Sequence, residues 1–181
     1  MRNGLALGSV VALTALLATA CVVEPPVGTR PAPLVGVMPG DARAFQYGAT
    51  GREVLDHPAL RERIIGLFGP DWKPSAESGG KLPTGAAAFF AHSSPPQLVR
   101  MEGANFIGVT GCMSSACAGN RGLILIREDS ELLLARVDEG GYAHYYAWGT
   151  PATRATIGPT VVDSAWRALE NSGKSRSAGA R

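Results

Sequence analysis

From residue 97 onward, hydrophobic runs alternate with short turn sequences. The turns are marked by Gly103, by the pair Asp129 and Ser130, and by the pair Gly140 and Gly141. Turns this short join antiparallel neighbours. The pattern therefore predicts a meander sheet of about five strands, formed by the runs QLVRME, NFIGVTG, GLILIRE, ELLLARVDE and YAHYYAWG.

Helical spacing appears on both sides of these strands. Before them, Asp56 is the expected N-cap of a helix that ends at Gly69, where glycine followed by proline is a strong stop. After them, a last helix is expected at about 161–169. With helices packed on one face of an antiparallel sheet, the fold class is α+β. The first helix has its apolar residues at Leu60, Ile64, Leu67 and Phe68.

The two ends of the chain differ in composition from its middle. Residues 1–20 have the pattern of an export signal, in which Arg2 is followed by an apolar run too short to span a bilayer. Residues 21–40 are rich in proline and predict an extended tether, with a short strand at about 34–37 as the alternative. Residues 171–181 are small, polar and basic, and they predict a disordered tail. The folded domain is therefore expected at 41–170.

Two processing patterns fit the segment LATAC, which ends at Cys21. The run Ala18-Thr19-Ala20 satisfies an A-x-A cleavage site, which would leave Cys21 as an ordinary thiol. Alternatively, the segment resembles a bacterial lipobox, in which Cys21 becomes the lipid-bearing first residue, although the box has a larger aliphatic residue in place of Ala18. We favour the lipobox, because a cysteine at the cut point is otherwise a coincidence. It predicts a periplasmic lipoprotein anchored to the outer membrane, a destination that Val22 suits.

The cysteine count supports this interpretation. Three cysteines in an exported chain leave one without a partner. With Cys21 lipidated, Cys112 and Cys117 remain as a pair in an oxidising compartment, where disulfides persist. A bridge between them would close a short loop, for which the chain-entropy estimate is about 2 kcal/mol. We expect its larger effect to be local, as a stiff tip between two strands.

Charge and candidate chemistry narrow the functional classes. A formal net charge of +2 gives no reason to expect a nucleic-acid partner. The histidines His57, His92 and His144 show neither a paired nucleophile nor metal-ligand spacing. We therefore predict that the protein is not an enzyme and has no metal or cofactor. A binding module fits better, because a rigid loop on a sheet has its shape set before contact. A stapled hairpin that contacts nothing is the alternative.

The stretch from Leu82 to Val137, about a third of the chain, resembles the inhibitor of vertebrate lysozyme family of bacterial periplasmic proteins. The most specific shared feature is a Cys-x4-Cys loop between two strands. The resemblance implies an antiparallel sheet with helices on one side, and a protein inhibitor. Its disulfide-closed loop would enter a lysozyme's active-site cleft, where the family's loop histidine contacts the catalytic carboxyls. The matching segments are LPTGAAAFF, PPQLVRMEGANFIGVTGCMSSACAGNRGLILI and SELLLARV.

The loop departs from the family pattern. Met113, Ser115 and Ala116 stand where the family has Lys, His and Asp. A retaining glycosidase holds two carboxyls about 5 Å apart, so a cationic tip is the natural plug. Losing a charge-assisted contact costs roughly 1.5–3 kcal/mol. The fold can therefore carry over without inhibition of animal lysozyme.

Three functions stay open. In the first, the loop inhibits a lysozyme or related peptidoglycan hydrolase, in an immunity or self-protection role. In the second, the scaffold binds an unrelated partner, and in the third it is a structural envelope lipoprotein. The expected partner is a protein, membrane contact is through lipid on Cys21, and a homodimer is left open. The expected contact residues are Met113, Ser114, Ser115 and Ala116.

Overall fold

The computed structural model describes residues 35–114, 116–155 and 157–179. The predicted signal peptide at 1–20 and the predicted lipidation site Cys21 lie outside the described residues, and so does Ser115 of the predicted contact loop. Within the described ranges, no helix has both the length and the apolar character needed to span a bilayer.

The described chain forms one antiparallel sheet with helices, which confirms the α+β class. The strands follow the order β1-β3-β4-β5-β6-β7, and the short β2 pairs with β4. The meander β3 to β7 confirms the five predicted strands, with the predicted turns between them. The seven strands are β1 Val35–Met38, β2 His92–Ser93, β3 Gln97–Met101, β4 Ala104–Cys112, β5 Arg121–Arg127, β6 Leu132–Glu139 and β7 Tyr142–Gly149.

One of the two additional strands, β1, changes the predicted domain boundary. β1 pairs with β3 from Val35 opposite Met101 to Met38 opposite Leu98. The expected start of the domain at residue 41 is therefore too late, because the last part of the predicted tether is a strand of the sheet. The apolar residues Val35 and Val37 pack against the core, which explains why this part of the segment joins the sheet.

Helical segments precede and follow the strands. They are α1 Gly51–Asp56, α2 Arg61–Phe68, α3 Ser75–Ser78, α4 Pro151–Ala155 and α5 Pro159–Gly179, with short 3-10 turns at Ala42–Phe45, Gly69–Trp72 and Ala86–Phe90.

The start of α2 differs from the prediction. Asp56 does not cap this helix, because it is the last residue of α1. Instead the chain turns at His57, whose Nδ1 accepts a hydrogen bond from the Ala59 amide at 3.2 Å. The predicted end is confirmed: Gly69 lies at φ 55°, a conformation that glycine adopts without steric cost.

The last helix is longer than predicted. α5 continues beyond Leu169 to Gly179, so the segment from 171 to 179 is helical where a disordered tail was expected. A tertiary hydrogen bond holds the start of this extension: the Ser172 hydroxyl donates to Gln97 Oε1 at 2.8 Å. Gln97 is buried in β3, so this bond ties the extension to the sheet.

Helices cover both faces of the sheet, and the expectation that they pack on one face is wrong. On what we call the first face, Ile124 and Ile126 contact the core formed with α1, α2 and the 3-10 turns. On the second face, Leu123 and Leu125 pack with α5. The uninterrupted run LILI in β5 is the sequence signature of this arrangement, since side chains of a strand alternate between faces and here both are buried.

Candidate functional site

A disulfide-closed loop lies at the end of the β4–β5 hairpin. Cys112 is the last residue of β4 and Cys117 follows in the connection to β5. The two are bridged, with their Cα atoms 4.9 Å apart, which confirms the predicted pair. We call the connection between Cys112 and Arg121 the tip loop, of which the structure describes residues 113, 114 and 116–120. The end of the sheet that carries it is the tip end.

Backbone hydrogen bonds give the tip loop a defined shape. The Met113 amide donates to the Asn120 carbonyl at 3.1 Å, which closes the base of the loop. The Ala116 amide donates to the Met113 carbonyl at 3.2 Å, and the Asn120 amide donates to the Ala116 carbonyl at 3.0 Å. The Asn120 side chain also accepts from the Gly140 amide at 3.3 Å, so the neighbouring β6–β7 turn supports the loop.

The predicted contact residues differ in accessibility. Ser114 is exposed, whereas Ala116 is half-buried. Met113 is also half-buried and packs against the first-face core, with its Sδ 3.9 Å from the Thr84 hydroxyl. The Met113 side chain therefore supports the tip loop from the first-face core. Cys117 and the residues at 118 and 119 are exposed and extend the accessible surface next to Ser114.

Two further side chains share the tip end, and the sequence prediction gave them no part in binding. His92 in β2 is exposed and lies opposite Cys112 in the sheet. Tyr142, the first residue of β7, is 76% exposed. The sequence signal for Tyr142 was its place directly after Gly140 and Gly141, since the β6–β7 turn returns the chain beside the tip loop.

A pair of glycines positions the base of the tip. Gly111 and Gly122 lie opposite each other in β4 and β5. A Cβ atom at Gly122 would come within 2.5 Å of the Phe90 ring, and one at Gly111 within 2.8 Å of the Phe90 Cα. Phe90 therefore occupies space that side chains at Gly111 and Gly122 would fill, and the 3-10 turn that carries it packs against β4 and β5 next to the tip loop.

A groove of about 300 Å³ opens on the second face, between the tip end of the sheet and α5. Alternation along β4 and β5 directs Thr110 and Arg121 to this face. The disulfide and Leu169 contribute apolar surface. Polar side chains that line the groove include His92, Ser94, Thr110, Arg121, Trp166 and Glu170.

Two arginines contact Trp166 beside this groove. The guanidinium carbons of Arg121 and Arg136 lie 5.1 Å and 4.8 Å from the centroid of the Trp166 ring, within cation–π range. Arg121 forms an ion pair with Glu170 and a longer one with Asp138, at 3.6 Å.

Arg136 organises a second group of polar side chains on this face. It donates to Asp138 at 2.8 Å through Nε and to Asp163 at 2.9 Å through Nη1. Asp163 also accepts from the Tyr145 hydroxyl at 2.6 Å. Partial burial of Tyr145 and its hydrogen bond to Asp163 both raise the pKa of that phenol. Asp163 thus anchors α5 to β6 through Arg136 and to β7 through Tyr145.

In the part of the chain that the structure describes, no three His, Cys, Asp or Glu side chains are grouped so that they could hold a metal ion. Of the three histidines, His57 caps the turn before α2, and His92 and His144 lie in different strands.

Compared with models of known protein families, with curated proteins and with solved structures, the chain matches none. The functional assignment therefore depends on the residues themselves.

Proposed function

We propose that the protein inhibits a lysozyme or related peptidoglycan hydrolase by inserting the tip loop into the enzyme's active-site cleft. The observation that carries the proposal is the tip loop itself, which is closed by a disulfide, hydrogen-bonded internally and exposed at Ser114. A loop ordered before contact avoids part of the entropy cost of binding. The proposal places the protein in the bacterial periplasm as a lipoprotein anchored through Cys21.

The described contacts narrow which residues would meet the enzyme. Met113 is engaged with the core, so we assign it to support of the loop, and Ser114 to the contact. Tyr142 is a second contact candidate, because exposed tyrosines near the centre of an interface supply much of the binding energy. The enzyme's active-site cleft would then contact the tip loop and, beside it, the side chain of Tyr142.

The test is inhibition of purified enzymes by the protein, expressed with its own signal sequence and purified in mature, oxidised form. The panel holds a hen-type lysozyme and several bacterial cell-wall hydrolases. We expect inhibition of at least one, weakened about tenfold or more by Ser114→Trp and by the double change Cys112→Ser with Cys117→Ser. We expect Tyr142→Ala to weaken it less. A Ser115→His variant that gains inhibition of the hen-type enzyme would support the family alignment.

A matched control separates loop contact from general damage. Glu131→Trp adds the same bulk at an exposed position in the β5–β6 turn, at the opposite end of the sheet, and should leave inhibition unchanged. If no enzyme in the panel is inhibited by the folded protein, the proposal fails. In that case the second function, a scaffold that binds an unrelated partner, becomes the better account.

A further inference from the structure

Strand β7 forms an open edge of the sheet. It is the last strand in the order, so only the side that faces β6 is paired. A two-residue turn joins β6 to β7, so the residues that flank it form a hydrogen-bonded pair, and such pairs alternate along the ladder. Ala143, Tyr145 and Ala147 therefore direct their backbone N–H and C=O groups away from β6. Among the described residues, no backbone hydrogen bond outside the β6 ladder involves these three.

β7 lacks the features by which natural edge strands avoid pairing. Protected edge strands are short, carry charges or proline, or are covered by other segments. β7 has eight residues, YAHYYAWG, without Asp, Glu, Lys, Arg or Pro. Ala143, Tyr145 and Ala147 are all exposed, so the described elements do not cover this edge. The opposite edge strand, β1, has only four residues. Of the two edges, β7 is therefore the one suited to accept a further strand.

The Tyr145 side chain has a fixed position at the middle of this edge. Its hydroxyl donates to Asp163 at 2.6 Å, and the guanidinium carbon of Arg136 lies 5.8 Å from the ring centroid. These contacts hold the ring toward α5 and β6, although the residue is 39% exposed. Because the ring is ordered before any contact, pairing at this edge would cost little additional side-chain entropy.

The charge and register of β7 favour a second copy of the same strand. Because the strand has no acidic or basic residue, two copies can lie side by side without like-charge repulsion. A two-fold axis, the commonest symmetry of homodimers, pairs identical strands in antiparallel orientation. With the axis at Tyr145, this residue lies opposite its own copy, and Ala143 lies opposite Ala147 of the second copy. All three outward residues then exchange hydrogen bonds with outward residues of the other strand.

We propose that two copies of this protein associate through β7, antiparallel about a two-fold axis at Tyr145, to form one continuous sheet. Each β7 begins at the tip end, so the two tip ends point in opposite directions and both tip loops stay accessible. One strand pair gives a smaller interface than a standard stable complex, so we expect a Kd on the order of 10 µM. The dimer does not depend on the proposed function, because no residue of the tip loop takes part in the pairing.

Sedimentation equilibrium of the mature, oxidised protein over a concentration series tests the association. We expect a monomer–dimer equilibrium. Ala147→Pro removes an outward N–H and keeps the β6 ladder, and Ala143→Lys adds the kind of charge that protects natural edges. Each variant should raise the Kd at least tenfold. The control Ala42→Lys makes the same change at an exposed position in a 3-10 turn and should leave the Kd unchanged. Urea denaturation checks that each variant is folded.

Amide hydrogen exchange, followed by NMR in the ¹⁵N-labelled protein, locates the interface. The amide protons of Ala143, Tyr145 and Ala147 should be protected at high protein concentration and exchange rapidly at low concentration. Those of His144 and Tyr146 pair with β6 and should be protected at both. The proposal is overturned if the protein stays monomeric throughout, or if both β7 variants dimerise as the wild type does. Protection of the three outward amides in the monomer would also overturn it, because another segment would then occupy the edge.

Discussion

The two faces of the sheet are built from the same strands but are covered in different ways. The first face is covered by several short segments, and aromatic rings meet there: Phe68 lies 4.9 Å from Tyr146 and 6.3 Å from Phe90, measured between ring centroids. The second face is covered by one helix, α5, whose Trp166 contacts two arginines. A groove opens on this face between α5 and the tip end of the sheet.

Glycines act differently on the two faces. On the first face, Gly111 and Gly122 admit the ring of Phe90 next to the backbone of both strands. On the second face, Gly108 admits Leu169, since a Cβ atom there would lie 3.1 Å from the leucine Cδ1. Both Phe90 and Leu169 are buried, and Leu169 also lines the groove. The comparison predicts that the first face contributes more stability per side chain.

The largest expected effect comes from Phe90→Ala. It would leave a cavity between the 3-10 turn and the glycine pair, and we expect a loss of about 4 kcal/mol in the free energy of unfolding. On the second face, Leu169→Ala should cost less, about 2.5 kcal/mol, because its site adjoins the groove and can admit water. Urea denaturation of both variants measures the difference. Equal losses would contradict the proposed contrast between the faces.

An intermediate effect is expected from Arg136→Met. Methionine retains part of the packing on Trp166 but leaves Asp138 and Asp163 without their main cationic partner. We expect a loss of about 2 kcal/mol, reduced in high salt by screening of the two carboxylates. The control is Arg52→Met, which removes an ion pair whose arginine is 90% exposed and should cost less than about 0.5 kcal/mol. If both variants lose the same free energy of unfolding, the ion pairs of Arg136 contribute no more to stability than an exposed ion pair does.

The smallest effect at neutral pH is expected from Asp71→Asn on the first face. Burial alone would raise the pKa of Asp71, but hydrogen bonds from the Lys81 amide, the Tyr146 hydroxyl and the Leu82 amide outweigh it and lower that pKa. The Tyr146 hydroxyl donates to the Asp71 carboxylate at 2.9 Å. The pKa of the Tyr146 phenol is raised, mainly by its burial and secondly by this hydrogen bond. We expect the variant to lose about 1.5 kcal/mol at pH 7.

The pH dependence of this contribution has a definite sign. A carboxyl whose pKa is lower in the folded state binds protons more tightly when unfolded, so it adds stability above the unfolded pKa of about 3.9. That stability is lost as the pH falls through the folded pKa. Wild-type stability should therefore decline below about pH 5 more steeply than that of Asp71→Asn, as measured by urea denaturation at a series of pH values. An Asp56→Asn control, at an exposed site, should follow the wild type.

Local patterns predicted the meander well, because each turn is marked by residues whose backbone preferences act within a few positions. Gly103 and Gly140 adopt φ of 80° and 56° in their turns, as such sequences favour. The end of α2 at Gly69 and the Cys112–Cys117 bridge are likewise short-range features. The predicted start of α2 was wrong, because Asp56 ends α1 and α2 begins only at Arg61, after Leu60, which makes no side-chain cap hydrogen bond.

Features of the candidate sites were harder to predict, because they join residues far apart in the chain. The half-burial of Met113 depends on Thr84 and the first-face core, and the groove depends on how α5 crosses the strands. Neither has a signal at the residue itself. Tyr142 differs, because its place directly after Gly140 and Gly141 is a local signal.

For this protein, the sequence alone determined the antiparallel meander, its turns and the paired cysteines, since these follow from alternation, glycine conformations and spacing within a few residues. Only the tertiary structure decided that β1 joins the sheet, that helices cover both faces, and that Trp166 and Arg121 share a groove. The physical reason is that burial and hydrogen-bond satisfaction are properties of packed neighbours, and the neighbours that matter here come from opposite ends of the chain.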